Sequence, residues 1–441
     1  MKVKSMTVDC VILAAGNGTR MMTTTPKFFQ SVAGRPIIRY AIDACSSVMP
    51  AKVISVTSVA HKDNELFTGT DVVVQERPLG TADALKQAIP QLGSEYVIVM
   101  YADTPFVERK HLEMLLADTA DVAFIAARMP DGLLHTPYGR VITDGCKFRK
   151  IVEFKDASGD ERTCNLMNAG VYKFKTELLK RHIDNVTKDN ESAEFYLTEL
   201  LEIIKESGVA ISVIRSDDYL AFHGINTMSD LTAAEEIMQN RLRESFLQKG
   251  VRLVAPASVY FSHDTEIAAD VVVEPNVFIG TKVKIRTGVV IKAFSYIEGC
   301  EIMEHASVGP FARIRGNSRL ESATIVGNFV EIKGSVLGKS TKVKHLSYVG
   351  DADIGDGTNI GAGTITCNYD GVRKHKTSIG KYVFVGSNSV FIAPVTVEDE
   401  ALVAAGSVVD QTVQAGSLAI ARPQLVIRAG KAKQIWQKKK K

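Results

Sequence analysis

The stretch IAADVVVEPNVFIGTKVKIRTGVVIKAFSYI, Ile267 to Ile297, carries an aliphatic residue at every sixth position: Ile267, Val273, Ile279, Ile285, Ile291 and Ile297. A helix repeats at about 3.6 residues and a half-buried strand at about 2, so a period of six belongs to neither. It is the hexapeptide repeat of a parallel β-helix, in which each coil stacks an aliphatic residue on the coil below. Phe261 precedes this run in phase and Met303 follows it. After a one-residue phase shift Ile302, Val308, Ile314, Leu320 and Val326 continue the pattern, and Ile379, Val385, Phe391, Val397, Val403 and Val409 take it up again. Between Ile360 and Ile379 the repeat is broken by the polar segment CNYDGVRKHKT. Insertions in a solenoid become surface loops, often on the binding face.

Upstream the pattern is different. From Val8 to about Arg215, β-rich runs such as VDCVILAA, VISVTS, YVIVMYAD and VAFIAAR alternate with helical stretches such as PIIRYAIDACSSV. This alternation predicts a mostly parallel sheet covered by helices on both faces, with ligands at the carboxyl ends of the strands. Ser229 to Gly250 reads as a long connecting helix capped by Ser229. The expected layout is therefore an α/β domain over 1–228, a linker helix over 229–249 and a β-helix domain over 250–441. No run of about 18 apolar residues is present and the start resembles no secretory signal, so a soluble cytoplasmic protein without a membrane span is expected. The six cysteines are scattered without a CxxC pair, which suggests neither a zinc site nor a redox motif. The net charge of +3 comes mostly from the tail GKAKQIWQKKKK, read as a solvated segment and not as a nucleic-acid site.

The first strand runs into LAAGNGTRM. Its glycines permit close backbone approach to a phosphate, but the loop lacks the GK[ST] of a P-loop and the third glycine of the dinucleotide fingerprint. A plain turn is as good a reading of the loop alone. Arg20 and Lys27 add cations, and Asp103, after a very apolar strand, stands where oxygen ligands would hold magnesium. In the other half, His345 is a candidate general base, because histidine as a residue type titrates near working pH. Arg315, Lys333, Tyr348 and Lys374 are residues of the kind that grip a sugar phosphate, while Asn359 and Asn368 are able to orient an imidazole or hydroxyls.

In order along the chain, LAAGNGTRM…PK, QERPLGTADA, YAD, YGR, IVEFKDA, NAGVY and GIN, then GPFARIRG, GNFVEIK, HLSYVGD, NIGAGTITCNYDG and VFVGSNS, are similar to one family over nearly the whole length. The chain resembles the bacterial bifunctional N-acetylglucosamine-1-phosphate uridylyltransferases/glucosamine-1-phosphate N-acetyltransferases. The resemblance implies a Rossmann-like mixed sheet followed by a left-handed β-helix, association as a homotrimer, and synthesis of UDP-N-acetylglucosamine for peptidoglycan and lipopolysaccharide. UTP and acetyl-CoA would be co-substrates and Mg2+ the metal. For the nucleotide sugar it implies Leu13, Ala14, Ala15, Gly16, Lys27, Gln75, Gly80, Thr81, Tyr101, Asp103, Gly139, Glu153, Asn168 and Asn226, with Asp103 and Asn226 holding the metal. It implies His345 as proton acceptor, Arg315, Lys333, Tyr348 and Asn359 for glucosamine 1-phosphate, and Ala362, Asn368, Tyr369, Lys374, Ser387, Ala405 and Arg422 for acetyl-CoA, the backbone at Ala362 serving the oxyanion. The polar insertion would reach a neighbouring subunit. Three departures stand out: Asn17 where the family has Lys, Ala102 where it has Gly, and Arg315-Gly316 where it inserts Pro, for which a looser turn is expected. Two other readings remain, a single-activity nucleotidyltransferase whose β-helix serves assembly, and a non-catalytic scaffold.

Overall fold

Val8–Ala14 is buried at all seven positions, as a strand covered on both faces must be. The computed structural model describes residues 6–16, 18–190 and 193–438; Asn17 and the last three lysines lie outside them. The chain divides into two compact units, Met1–Glu236 and Ile237–Lys441.

In the first unit the sheet runs Ile211–Ser216, Val122–Arg128, Leu166–Lys175, Tyr96–Tyr101, Val8–Ala14, Lys52–Ser58 and Asp71–Gln75, with the hairpin Arg140–Asp144 and Lys147–Val152 attached to Leu166–Lys175. Helix Ile37–Ser47 buries Ile38, Ala41 and Ile42 in the core on one face. On the other, Thr81–Ala88 and Leu197–Glu206 bury Leu85, Ala88, Leu200 and Leu201. The expected parallel arrangement holds for four of the six pairs along the seven-strand path, but Leu166–Lys175 is antiparallel to both neighbours. The chain reaches that strand through the hairpin and the single-turn helix Gly159–Arg162, without the full helical crossover that a parallel neighbour needs. Its pairing with Val122–Arg128 shifts register between Asn168 and Tyr172, a bulge of the sort found beside active sites.

The second unit is a left-handed parallel β-helix with sheets of ten, nine and eight short strands. Along one sheet Phe261 pairs with Ile279, Ile279 with Ile297 and Ile297 with Ile314, all parallel, so one coil spans three hexads or one residue less. The phase shift falls where a coil is shortened. Ile302 is fully buried whereas Met303, which continues the count of six, is only half-buried. Gly299, with φ +50, turns the corner five residues after Phe294. The same shortening at Gly334 and Asp351 keeps Ile332, Leu337, Val343, Val349, Ile354 and Ile360 in the core, which extends the repeat through a region the sixfold count leaves blank.

Helix Met228–Gln248 crosses the division between the units. Ser229, expected to cap it, lies inside the first turn; the cap is Thr227, whose Oγ1 accepts from Asp230 N at 3.1 Å while Asp230 Oδ2 accepts from Thr227 N at 2.9 Å. Glu235 accepts from Ala33 N in the first unit. Gln239 exchanges two hydrogen bonds with the backbone of Phe261, and Phe246 packs on the Phe261 ring in the second. The tail ends in helix Lys431–Lys438, with Ile435 and Trp436 exposed. Among the described residues no helix is long and apolar enough to cross a membrane.

Candidate active sites

Parallel pairing sets Leu13 beside Tyr101 at the carboxyl ends of the two central strands. The loop after Ala14 and the loop carrying Asp103 therefore open on the same side, over a cavity of about 560 Å³. Lys27 Nζ stands 2.5 Å from Asp103 Oδ2 and 3.1 Å from Asn226 Oδ1, and Arg20 donates to the same amide oxygen at 2.9 Å. A carboxylate and an amide oxygen thus converge on a cation, which is a donor set suited to a hard divalent ion that also keeps phosphate and water ligands.

The opposite wall is set by glycines. Gly170 (φ +70) sits in the bulge, and a Cβ there would lie 2.5 Å from the Tyr101 ring. Gly80 (φ +122) lets the turn before Thr81–Ala88 pass against Phe195, whose carbonyl accepts from Ala82 N at 2.9 Å. Gln75 donates to Gly80 O at 3.1 Å and to Asp83 at 2.6 Å. Burial pushes the Tyr101 phenol up to about 12, so it stays a neutral hydroxyl, 3.4 Å from that of Tyr172. Burial also raises the Glu153 carboxyl, with the Thr198 hydroxyl 3.4 Å away opposing the shift. Asn168 donates to Tyr172 at 2.7 Å and accepts from Gly170 N at 3.2 Å.

In the β-helix one corner repeats a left-handed residue in successive coils at Phe329, Leu346, Gly363, Asn388 and Gly406. The residue before each is Asn328, His345, Ala362, Ser387 and Ala405. Backbone hydrogen bonds tie this column together, with Leu346 N to Asn328 O at 3.1 Å, Gly363 N to His345 O at 3.3 Å, Asn388 N to Ala362 O at 2.7 Å and Gly406 N to Ser387 O at 2.8 Å. The Arg422 side chain continues it, its Cδ 3.6 Å from where a Cβ on Gly406 would stand. His345 is exposed, with Nδ1 2.7 Å from Asn328 Oδ1; an oxygen facing Nδ1 makes that nitrogen the protonated one and leaves Nε2 free to accept a proton.

On the adjoining face Arg315 pairs in register with Lys333, and Tyr348 lies beside them. Each cation has a carboxylate partner, Arg315 with Glu331 at 2.6 Å and Lys333 with Asp351 at 3.6 Å. Asn368 donates to the same Asp351. The polar insertion closes as a small hairpin in which Tyr369 bridges Lys374. Within it Asp370 is held down to about 2 by the backbone N–H of Arg373 and by His375.

The sequence matches the model of the MobA-like NTP transferase domain over residues 10–167 and that of the hexapeptide repeat of succinyl-transferase over 376–411. It is 40% identical over 446 residues to the bifunctional protein GlmU of Zymomonas mobilis, covering 98% of each chain. It is 42% identical to that of Ruegeria sp. (98% and 97%) and 43% identical to that of Gluconobacter oxydans (87% and 86%). The chain belongs to the bifunctional GlmU family.

Every residue expected to meet the nucleotide sugar lines the one cavity, from Leu13 through Gly80 and Glu153 to Asn226. Of the residues expected at the second site, His345, Ala362, Ser387 and Ala405 share a corner, while Asn359 lies in the ten-stranded sheet that also carries the His345 strand, in register with Lys342. Of the departures from the family pattern, Asn17 lies outside the described residues. Ala102 packs in the apolar core while its N donates to Leu13 O at 3.1 Å, so the methyl is a core contact and the strand-end pairing is kept. Gly316 takes φ +73 at a corner, where a Cβ would come within 3.1 Å of Gly334 N. Sequence reading missed Asn328, although GNFVEIK lies one shortened coil before HLSYVGD, and Tyr138, although it opens the motif YGR; it also missed Glu194, Tyr196 and Thr198 of the cavity wall, for which only tertiary packing provides a signal.

Proposed function

We propose that the chain makes UDP-N-acetylglucosamine in two steps, acetyl transfer from acetyl-CoA to glucosamine 1-phosphate on the β-helix, then uridylyl transfer from UTP to the product in the α/β unit. The observation that carries this is that two separately packed units of one chain each hold a reactive set, His345 with Asn328 in one and Lys27, Asp103 and Asn226 in the other.

In the first step the sugar amine attacks the thioester carbonyl and His345 Nε2 takes the amine proton; as the carbon–sulfur bond breaks, that proton passes to the leaving sulfur, giving the amide, CoA as its thiol and neutral His345. Asn328 holds the imidazole in the required tautomer. The column from His345 to Ala405 extends roughly 14 Å at the usual strand spacing, a length suited to an extended acyl carrier, and the backbone at Ala362 would donate to the oxyanion. Arg315, Lys333 and Tyr348 would take the sugar phosphate.

In the second step a phosphate oxygen of N-acetylglucosamine 1-phosphate attacks the α-phosphorus of UTP and pyrophosphate departs. This chemistry asks for positioning and charge neutralisation more than for an acid or base. Lys27 and Arg20 meet the phosphates, and Tyr101, as a neutral hydroxyl, with Glu153 and Asn168 would meet the sugar. Asp103 and Asn226 would hold Mg2+, which when bound neutralises the phosphate charge and aligns its oxygens.

We infer a cytoplasmic homotrimer. Support comes from the exposed stack Phe294, Phe311 and Phe329 on the β-helix, with neighbouring rings 4.9 and 5.1 Å apart, from the exposure of His345 in the single chain, and from the closed symmetry that a flat-faced prism favours.

Mass spectrometry of the protein with glucosamine 1-phosphate, acetyl-CoA, UTP and Mg2+ tests the proposal. UDP-N-acetylglucosamine, free CoA and pyrophosphate are expected. Product formed only from supplied N-acetylglucosamine 1-phosphate would reduce the β-helix to an assembly element.

A further inference from the structure

Asn226 lies on a turn whose successive backbone N–H groups are each taken by a different element. Gly224 N donates to the Tyr138 hydroxyl at 3.1 Å, Ile225 N to Asp103 O at 2.9 Å and Asn226 N to Asp230 Oδ2 at 3.0 Å. The second acceptor is the main-chain carbonyl of Asp103, and the third, Asp230, also caps the following helix. The first is a side-chain hydroxyl from another segment of the cavity lining, next to Gly139. The Tyr138 hydroxyl oxygen accepts from Gly224 N and lies 3.1 Å from His223 Nδ1, which accepts the tyrosine proton when the imidazole carries its own hydrogen on Nε2. Tyr219 approaches the same nitrogen only to 3.5 Å. The other ring nitrogen of His223 is buried without a hydrogen-bond partner among the described residues, 4.0 Å from Asp230 Oδ1. A buried imidazole with one satisfied nitrogen costs stability, and here it orients a single tyrosine proton.

We propose that Tyr138, oriented by His223, is a positioning residue for uridylyl transfer: its hydroxyl locks the Gly224 turn and thereby aims the Asn226 carboxamide at Asp103. The proposal rests on the reading of Asp103 and Asn226 as the metal-holding pair. Tyr138 touches neither of their oxygens, so it acts through the backbone. Its ring packs edge-on against Tyr219 and His223 with centroids 6.5 and 6.2 Å away, and phenylalanine preserves that packing while removing only the bridge.

The test is Tyr138→Phe in the full chain, with uridylyl-transfer kcat and KM, Mn2+ affinity by electron paramagnetic resonance on the metal alone, and acetyl transfer as an internal control of folding. Loss of one hydrogen bond predicts a two- to roughly tenfold fall in kcat and a similar weakening of Mn2+ binding, with the UTP KM and acetyl transfer unchanged. His223→Asn, which keeps an acceptor, is expected to stay near wild type, and His223→Leu to match Tyr138→Phe. Wild-type kcat and Mn2+ affinity in Tyr138→Phe would overturn the proposal, as would a loss explained wholly by a lower melting temperature. Asn226→Ala separates the two readings. If it leaves Mn2+ binding intact the metal pair itself is wrong, whereas a defective Asn226→Ala beside a normal Tyr138→Phe removes only the positioning role.

Discussion

Replacing Gly170 by alanine would ask whether the backbone bulge, and not just the side chains around it, shapes the nucleotide cavity. Gly170 has φ +70 and a Cβ there would stand 2.5 Å from Tyr101 Cδ2 and 2.8 Å from Cε2. A left-handed alanine costs about 1–2 kcal/mol, and forcing a methyl into a packed wall typically adds about 1–3 kcal/mol. The Tyr101 ring is held edge-on against the fully buried Tyr172, centroids 6.2 Å apart, so it is able to move only toward the cavity it lines. The two costs together, about 2–5 kcal/mol, are a large share of the stability of an ordinary domain but leave the fold populated at room temperature. Denaturant unfolding followed by circular dichroism should show the transition of the α/β unit moved to lower denaturant. Uridylyl transfer at matched folded fraction should fall at least about tenfold, since a displaced Tyr101 misplaces the substrate. Acetyl transfer by the same preparation should be unchanged. A variant with wild-type turnover and an unmoved transition would show that the wall accommodates a side chain, and the argument from the bulge would be wrong.

Asp103→Ala is expected to abolish uridylyl transfer and spare acetyl transfer, with His345→Ala doing the reverse; separate assays of each half-reaction decide it, and loss of both activities from a folded single variant would contradict two independent sites. Asn328→Ala removes the bond that sets the His345 tautomer, so the acetyl-transfer kcat should drop roughly two- to tenfold with little change in the KM for glucosamine 1-phosphate, as steady-state kinetics would show. Glu153 has its folded-state pKa raised by burial, so it favours the fold below the ordinary carboxylate pKa and loses that contribution as pH rises through the raised value. Glu153→Gln should therefore stabilise the α/β unit at neutral pH and forfeit the advantage toward pH of about 4, which melting curves across that range would reveal.

The β-helix was legible from residues alone because its core obeys a local rule. One inward aliphatic residue per hexad is a constraint that each short strand meets within its own six residues, so Ile279 or Val385 needs no knowledge of distant partners. The same holds for the α/β alternation and for the loop and aspartate at the ends of two apolar strands. What the count could not contain was each place where a coil loses a residue. Whether Ile302 or Met303 faces the core depends on the corner at Gly299, and a corner is a property of three sheets meeting. The direction of Leu166–Lys175, the Tyr138 bridge to Gly224 and the Asn328 contact with His345 were likewise beyond the sequence. Each depends on residues far apart in the chain being brought together by packing that no local period encodes. Residue types and spacing determined that this chain has an α/β half and a solenoid half and which groups could do chemistry; only the tertiary structure decided which of those groups meet, because hydrogen bonds reach about 3 Å and nothing in a linear pattern measures that distance.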